Sequence, residues 1–120
     1  MSKILVHLTH GPEHPTRVAL AFLVAKTALD EGHTVSMFLA GDAVQLIRDS
    51  TLDNLSGVGI GRLRELYDSV AARGGRLYLS GMSSKARGLT DADLSGKPAE
   101  FSTPNALVRL SLEHDRMFTY

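Results

Sequence analysis

The 120-residue chain contains no cysteine. Its absence excludes disulfide scaffolds, thiolate zinc sites, iron–sulfur clusters, thiol nucleophiles and persulfide carriage, because each needs a sulfur that the chain does not have. An excess of either charge is also missing. Thirteen Lys and Arg balance thirteen Asp and Glu, so the chain lacks the basic surplus that nucleic-acid binding or an anionic membrane surface usually requires. Long apolar runs are absent as well: Ile4, Leu5 and Val6 form a run too short for a signal-peptide core or a membrane span. The expectation is a cytoplasmic protein with no membrane span and no nucleic-acid partner. There is no internal repeat or low-complexity tract, and 43% apolar with 22% charged residues is the composition of an ordered chain. Its length suits one domain over residues 1–120.

Strand and helix patterns alternate along the chain. Residues 3–9 read as a buried strand, after which Gly11, Pro12 and Pro15 break the pattern before a helix over 18–29 that ends at Gly32. Val35, Met37 and Leu39 mark a strand over 34–39, and Gly41-Asp42 opens a helix-like stretch to Ile47. Polar residues and glycines at 57, 59 and 61 predict a mobile loop over 48–61. Leu63, Leu66, Tyr67 and Val70 follow helical spacing, and a third strand covers 76–79. Beyond 80–88 come a helical turn near Thr90 or Asp91 and a brief strand at 99–101; Thr103-Pro104 then caps a helix to Glu113, and a last strand covers 116–120. This alternation predicts an α/β domain, three-layer α/β/α around a mainly parallel sheet, with ligands outside the carboxyl ends of its strands.

Chemistry is therefore sought just after the strands. The three glycines form no dinucleotide fingerprint, since they do not sit between the first strand and its helix. His7, His10 and His14 cluster in sequence, but strand alternation places His7 apart from the other two, no Asp or Cys joins them at a ligand spacing, and no metal is expected. Ser80 and Ser83 lack a nucleophile-elbow sequence and read as turn or cap residues, so no catalytic residue and no cofactor are assigned. The segment Ser80-Gly81-Met82-Ser83-Ser84-Lys85-Ala86-Arg87-Gly88 is the best anion-site candidate, offering three hydroxyls and two cationic side chains after a strand. A phosphate or sulfur oxyanion would suit it, and the alternative is a solvated turn.

Here the sequence resembles a known family. Leu77 to Leu89, read with Lys3-Ile4-Leu5-Val6-His7-Leu8-Thr9 and its Gly-Pro turn, resembles the DsrE/DsrF-like family, which includes the YchN-like proteins. Val35 to Val44, Asn105 to Leu110 and Asp115 to Tyr120 extend the likeness over nearly the whole chain. The resemblance implies a five-stranded α/β/α domain assembled as a homo-oligomer, a trimer or hexamer. Its sulfur-transferring members carry persulfide on a cysteine after the third strand, some with a Cys-x-x-Cys pair. Those positions are Ser80 and Ser83 here, and a serine hydroxyl forms no persulfide. The expectation is a member that has lost sulfur carriage and keeps a binding role for a small anion or a protein partner. Its site would be built from Ser80, Gly81, Ser83, Ser84, Lys85 and Arg87, walled by His10 and Gly11. The alternatives are an interaction subunit of a sulfur-relay-related complex, or an enzyme using His10 or His14.

Overall fold

In a computed structural model describing residues 1–120, five parallel strands form one sheet. These are β1 (Lys3–Leu8), β2 (Thr34–Leu39), β5 (Arg76–Ser80), β6 (Ala99–Ser102) and β7 (Arg116–Thr119), in the spatial order β6-β5-β2-β1-β7. β3 (Ser56–Gly57) and β4 (Gly61–Arg62) make a separate antiparallel hairpin. The helices are α1 (Pro15–Asp30), α2 (Asp49–Asn54), α3 (Leu63–Ala72), α4 (Gly81–Ala86) and α5 (Pro104–Glu113), with 3-10 turns at Gly41–Ile47 and Asp91–Leu94. No helix is long and apolar enough to cross a membrane.

The apolar run of β1 is explained by burial on both faces. Ile4, Val6 and Leu8 join Val35, Met37, Leu39, Leu77 and Leu79 in the main core, packed with Val18, Phe22 and Ala25 of α1 and Leu63 and Val70 of α3. Leu5 and Phe38 are buried on the opposite side. The steps β1 to β2 to β5 advance in one direction across the sheet, whereas the step from β6 to β7 returns past it. Right-handed crossovers then place α5 on the face opposite α1 and α3. Thr103 begins α5 as expected, its hydroxyl oxygen accepting the Ala106 N–H at 3.2 Å. α5 covers its face thinly: Ala106 is its one buried residue, while Val108 and Leu112 point outward, 60% and 82% exposed.

The first and last strands lie side by side. Lys3 N–H donates to Asp115 Oδ2 at 2.8 Å, the Asp115 N–H donates to the Lys3 carbonyl at 2.8 Å, and the Tyr120 N–H donates to the His7 carbonyl at 2.8 Å.

Residues 48–61 are not the expected loop. They form α2 and the β3–β4 hairpin, because Leu52 and Leu55 are buried beneath their polar neighbours. Gly57 lets the hairpin approach α1, since a Cβ there would stand 2.5 Å from the Ala19 Cβ. The first helix also begins earlier than its apolar pattern, at Pro15, where a missing N–H leaves no helical bond unmade.

Candidate functional site

The carboxyl ends of the strands carry the segments after β1, β2, β5 and β6. The residues after β5 are helical from Gly81 to Ala86, with Ser80 as N-cap. Its hydroxyl oxygen accepts the Ser83 N–H at 3.2 Å, and the Ser83 hydroxyl oxygen accepts the Gly41 N–H at 2.9 Å. Both hydroxyls at the positions that resemble carrier cysteines thus hold backbone in place. Arg87 is also committed. Its Nε and Nη2 donate to Asp42 Oδ1 at 3.1 and 2.9 Å, and its Nη1 donates to the Ser83 carbonyl at 3.2 Å. The sequence offers Arg87 as a free cation, but the fold supplies Asp42, 45 residues earlier, to balance it.

Lys85 is exposed, and no carboxylate lies within ion-pair distance of it. Next to it Ser84 is 1% exposed, and its hydroxyl has no hydrogen-bond partner. A buried hydroxyl without a partner is destabilising. Gly81, Ser84 and Lys85 line a cavity of about 200 Å³ together with Leu89 and Phe101. Of the residues named from sequence, the structure gathers these three around one space.

His10 and Gly11 lie elsewhere on this edge. A Cβ on Gly11 would sit 2.2 Å from the Asp42 carbonyl oxygen, and the Gly11 N–H donates to Glu13 Oε1 at 2.6 Å. The His10 ring meets His14 edge-on at 4.8 Å, with His10 Nδ1 buried and unpartnered. Neither His10 nor Gly11 lines the Ser84 cavity. His7 belongs to β1 and packs edge-on against Phe38 at 6.0 Å, where burial lowers its pKa from the ordinary 6.5. No group of three or more His, Asp or Glu is arranged to hold a metal.

Sequence reasoning passed over Leu89 and Phe101, the apolar walls of the cavity. Their signal was present: an apolar residue directly after Gly88, and one facing the same side of the sheet as Leu79, its partner in the ladder. A larger cavity, about 460 Å³, lies between Pro12 and Pro15 of the first loop and Ser50, Thr51, Asn54, Leu55 and Ser56, without a charged side chain. A third, about 410 Å³, is lined by Asp49, Arg64, Asp68 and Lys97 among others. Its charges are mutually paired, Arg64 with Asp49 and Asp53 at 2.9 and 2.7 Å and Lys97 with Asp49 at 3.3 Å. Arg64 and Lys97 hold the Asp49 carboxyl below its usual range.

The same arrangement of elements occurs in solved structures. The ychN protein of E. coli superposes with a TM-score of 0.82 at 16% identity, with all of each chain covered. A protein of unknown function from Methanobacterium thermoautotrophicum, MTH1491, gives 0.75 at 15% identity, again over all of both chains. A conserved protein of unknown function from Bacteroides thetaiotaomicron, BT1422, gives 0.73 at 10% identity, covering 99% of this chain and 95% of that one. These likenesses concern the fold. No curated protein matches the sequence. The family model of the DsrE/DsrF-like proteins matches residues 2–120, and the chain, sharing their sheet and lacking any cysteine, belongs to that family.

Proposed function

We propose that this protein binds a small anionic ligand at the carboxyl edge of its sheet and does not carry sulfur. The observation behind this reading is the Lys85 side chain, exposed and without a carboxylate partner, on a cavity that Gly81, Ser84, Leu89 and Phe101 also line. Ser80 and Ser83 support the site by fixing the start of α4 against the Gly41 turn, and Arg87 with Asp42 locks its far end. His10 and Gly11 shape the neighbouring loop. In this reading residues 1–120 act as one domain, and the protein is a cytoplasmic homo-oligomer, a trimer or hexamer. An NMR titration with sodium acetate, phosphate and thiosulfate tests the binding. Saturable shifts at amides 81–89 that weaken in Lys85→Gln are expected; no shift there with any anion at tens of millimolar would end the reading. Sedimentation of a monomer at micromolar concentration would remove the oligomer.

A second reading, a subunit that docks on another protein, draws on the outward Val108 and Leu112 of α5 and the exposed Met117 and Phe118 of β7. Recovery of only the homo-oligomer from native cells would count against it.

A further inference from the structure

We propose that the outward face of α5 is a two-fold contact between copies of this chain, in which α5 of one copy packs antiparallel on α5 of a second. This rests on the homo-oligomer part of the reading above and names the face that holds it.

α5 carries apolar side chains on both of its sides. Ala106 is buried against the sheet, with Leu107 and Leu110 half-buried beside it, whereas Val108 and Leu112 point outward and are 60% and 82% exposed. A helix with only water over its outer side ordinarily carries polar residues there, and one that is apolar all round has a second layer covering it. Met117 of β7, also exposed, stands on the same face of the sheet, since its ladder partner Leu5 is buried on that side.

The outer side of α5 is complementary to itself. Pro104, Val108 and Leu112 form one row at i, i+4 spacing, Asn105 and Arg109 belong to the next, and a groove of about 480 Å³ runs between the two rows. Helices in globular proteins pack most often by setting such a row into such a groove, with axes crossing at about 50°. One two-fold axis lets the Val108–Leu112 row of each copy fill the groove of the other, so a single face supplies both halves of the contact.

Charge selects the direction. Arg109 and Glu113 lie one turn apart on one flank of the row, both exposed, and neither has an ion-pair partner within the chain. Arg before Glu is the weaker order for an i, i+4 pair, which leaves both groups open to an outside partner. Antiparallel packing about a two-fold lays this flank against the same flank of the second copy, running the opposite way, so each Arg109 meets the second copy's Glu113. Parallel packing would turn both charges toward the other flank, where Ser111 stands and balances neither. Exposed pairs of this kind add little affinity; they set partner and orientation. A lipid surface suits the face less well, because α5 matches its one cation with a carboxylate, and interfacial helices carry a surplus of Lys and Arg.

Sedimentation equilibrium of the full chain tests the contact. The parent chain should form dimers or a multiple of dimers. Leu112→Asp, at an exposed position, should keep the midpoint of urea unfolding and weaken the assembly at least about tenfold, since it buries an unpaired charge in the contact. Arg109→Glu and Glu113→Arg should each weaken it by setting like charges together. The chain carrying both exchanges should assemble as the parent does, because each pair is restored with its signs reversed, a rescue that a different protein on this face would not give. A parent that stays monomeric removes both this contact and the homo-oligomer. An odd-numbered assembly, or one that Leu112→Asp leaves intact, overturns the α5 contact while the homo-oligomer stands, and loss of a different protein from that intact assembly would assign the face to the other partner. A double exchange as weak as the single ones overturns the antiparallel pairing on which the proposal depends.

Discussion

The Ser83 hydroxyl oxygen accepts the Gly41 N–H at 2.9 Å, joining two turns that are 42 residues apart in sequence. With the Arg87–Asp42 pair and the Gly11 contact on the Asp42 carbonyl, it ties three strand-to-helix connections into one edge. Ser83→Ala leaves the part-buried Gly41 N–H without its acceptor and should lower stability by about 1–3 kcal/mol. Ser80→Ala, which removes only the cap of a six-residue helix, should cost about 1 kcal/mol. Urea unfolding of both variants ranks them; a smaller loss for Ser83→Ala than for Ser80→Ala would contradict the linking role.

Asp42→Asn removes the carboxylate facing Arg87. The pair is partly exposed and contributes little by itself, so stability should change by less than about 1 kcal/mol. The edge becomes more positive, and anion affinity near Lys85 should rise about twofold at low salt, a gain that vanishes at 0.5 M sodium chloride, where charges several ångströms apart are screened. Unchanged affinity at low salt would show that Arg87 does not act electrostatically on the cavity.

Gly11→Ala introduces a Cβ 2.2 Å from a backbone oxygen, which a side-chain rotation cannot relieve. The first loop must shift, with an expected loss of about 1–3 kcal/mol, as for overpacking elsewhere. Gly32, at φ of 90° with nothing near its Cβ position, provides the comparison: alanine there suffers only the left-handed backbone strain, about 1–2 kcal/mol. Thermal unfolding of the two variants distinguishes contact from conformation, because only Gly11→Ala should also disturb the amides of residues 40–43.

Burial lowers the His7 pKa below its ordinary 6.5, so the unfolded chain takes up this proton more readily than the folded one. The stability His7 contributes is whole above 6.5 and declines as pH falls from there toward its lowered folded value. The lowered Asp30 and Asp49 carboxyls act the same way around and below their ordinary 3.8, but they are exposed and their effect is small. Stability measured between pH 7 and pH 5 should therefore fall less in His7→Phe than in the parent chain; parallel curves would rule His7 out as the source.

Much of this architecture is written locally. The apolar run of Ile4 to Val6, the helical spacing from Leu63 to Val70 and the Thr103-Pro104 start of α5 each announce their element through neighbours in sequence. Polar content concealed α2, where burial falls to Leu52 while most of its other side chains face water. The candidate site was legible in outline only. Residue types pointed to the segment after β5, but the acceptor for the Arg87 guanidinium is contributed by Asp42 and the apolar wall by Phe101, and long-range pairings of this kind leave no local pattern. Equally, a list of hydroxyls could not distinguish the two that hold backbone from the one, Ser84, that holds nothing.

The pairing of β1 with β7 sets an order of events during synthesis. β1 is made more than a hundred residues before β7, and one of its edges stays open until residues 116–119 exist, because no other of these strands pairs there. Until then the nascent protein exposes an unpaired, strongly apolar strand, the kind of template on which other chains add. Closing it requires a contact across more than a hundred residues, so sheet completion is a late and slow step. The interval before β7 is made, more than the finished fold, is where this sequence is most open to aggregation.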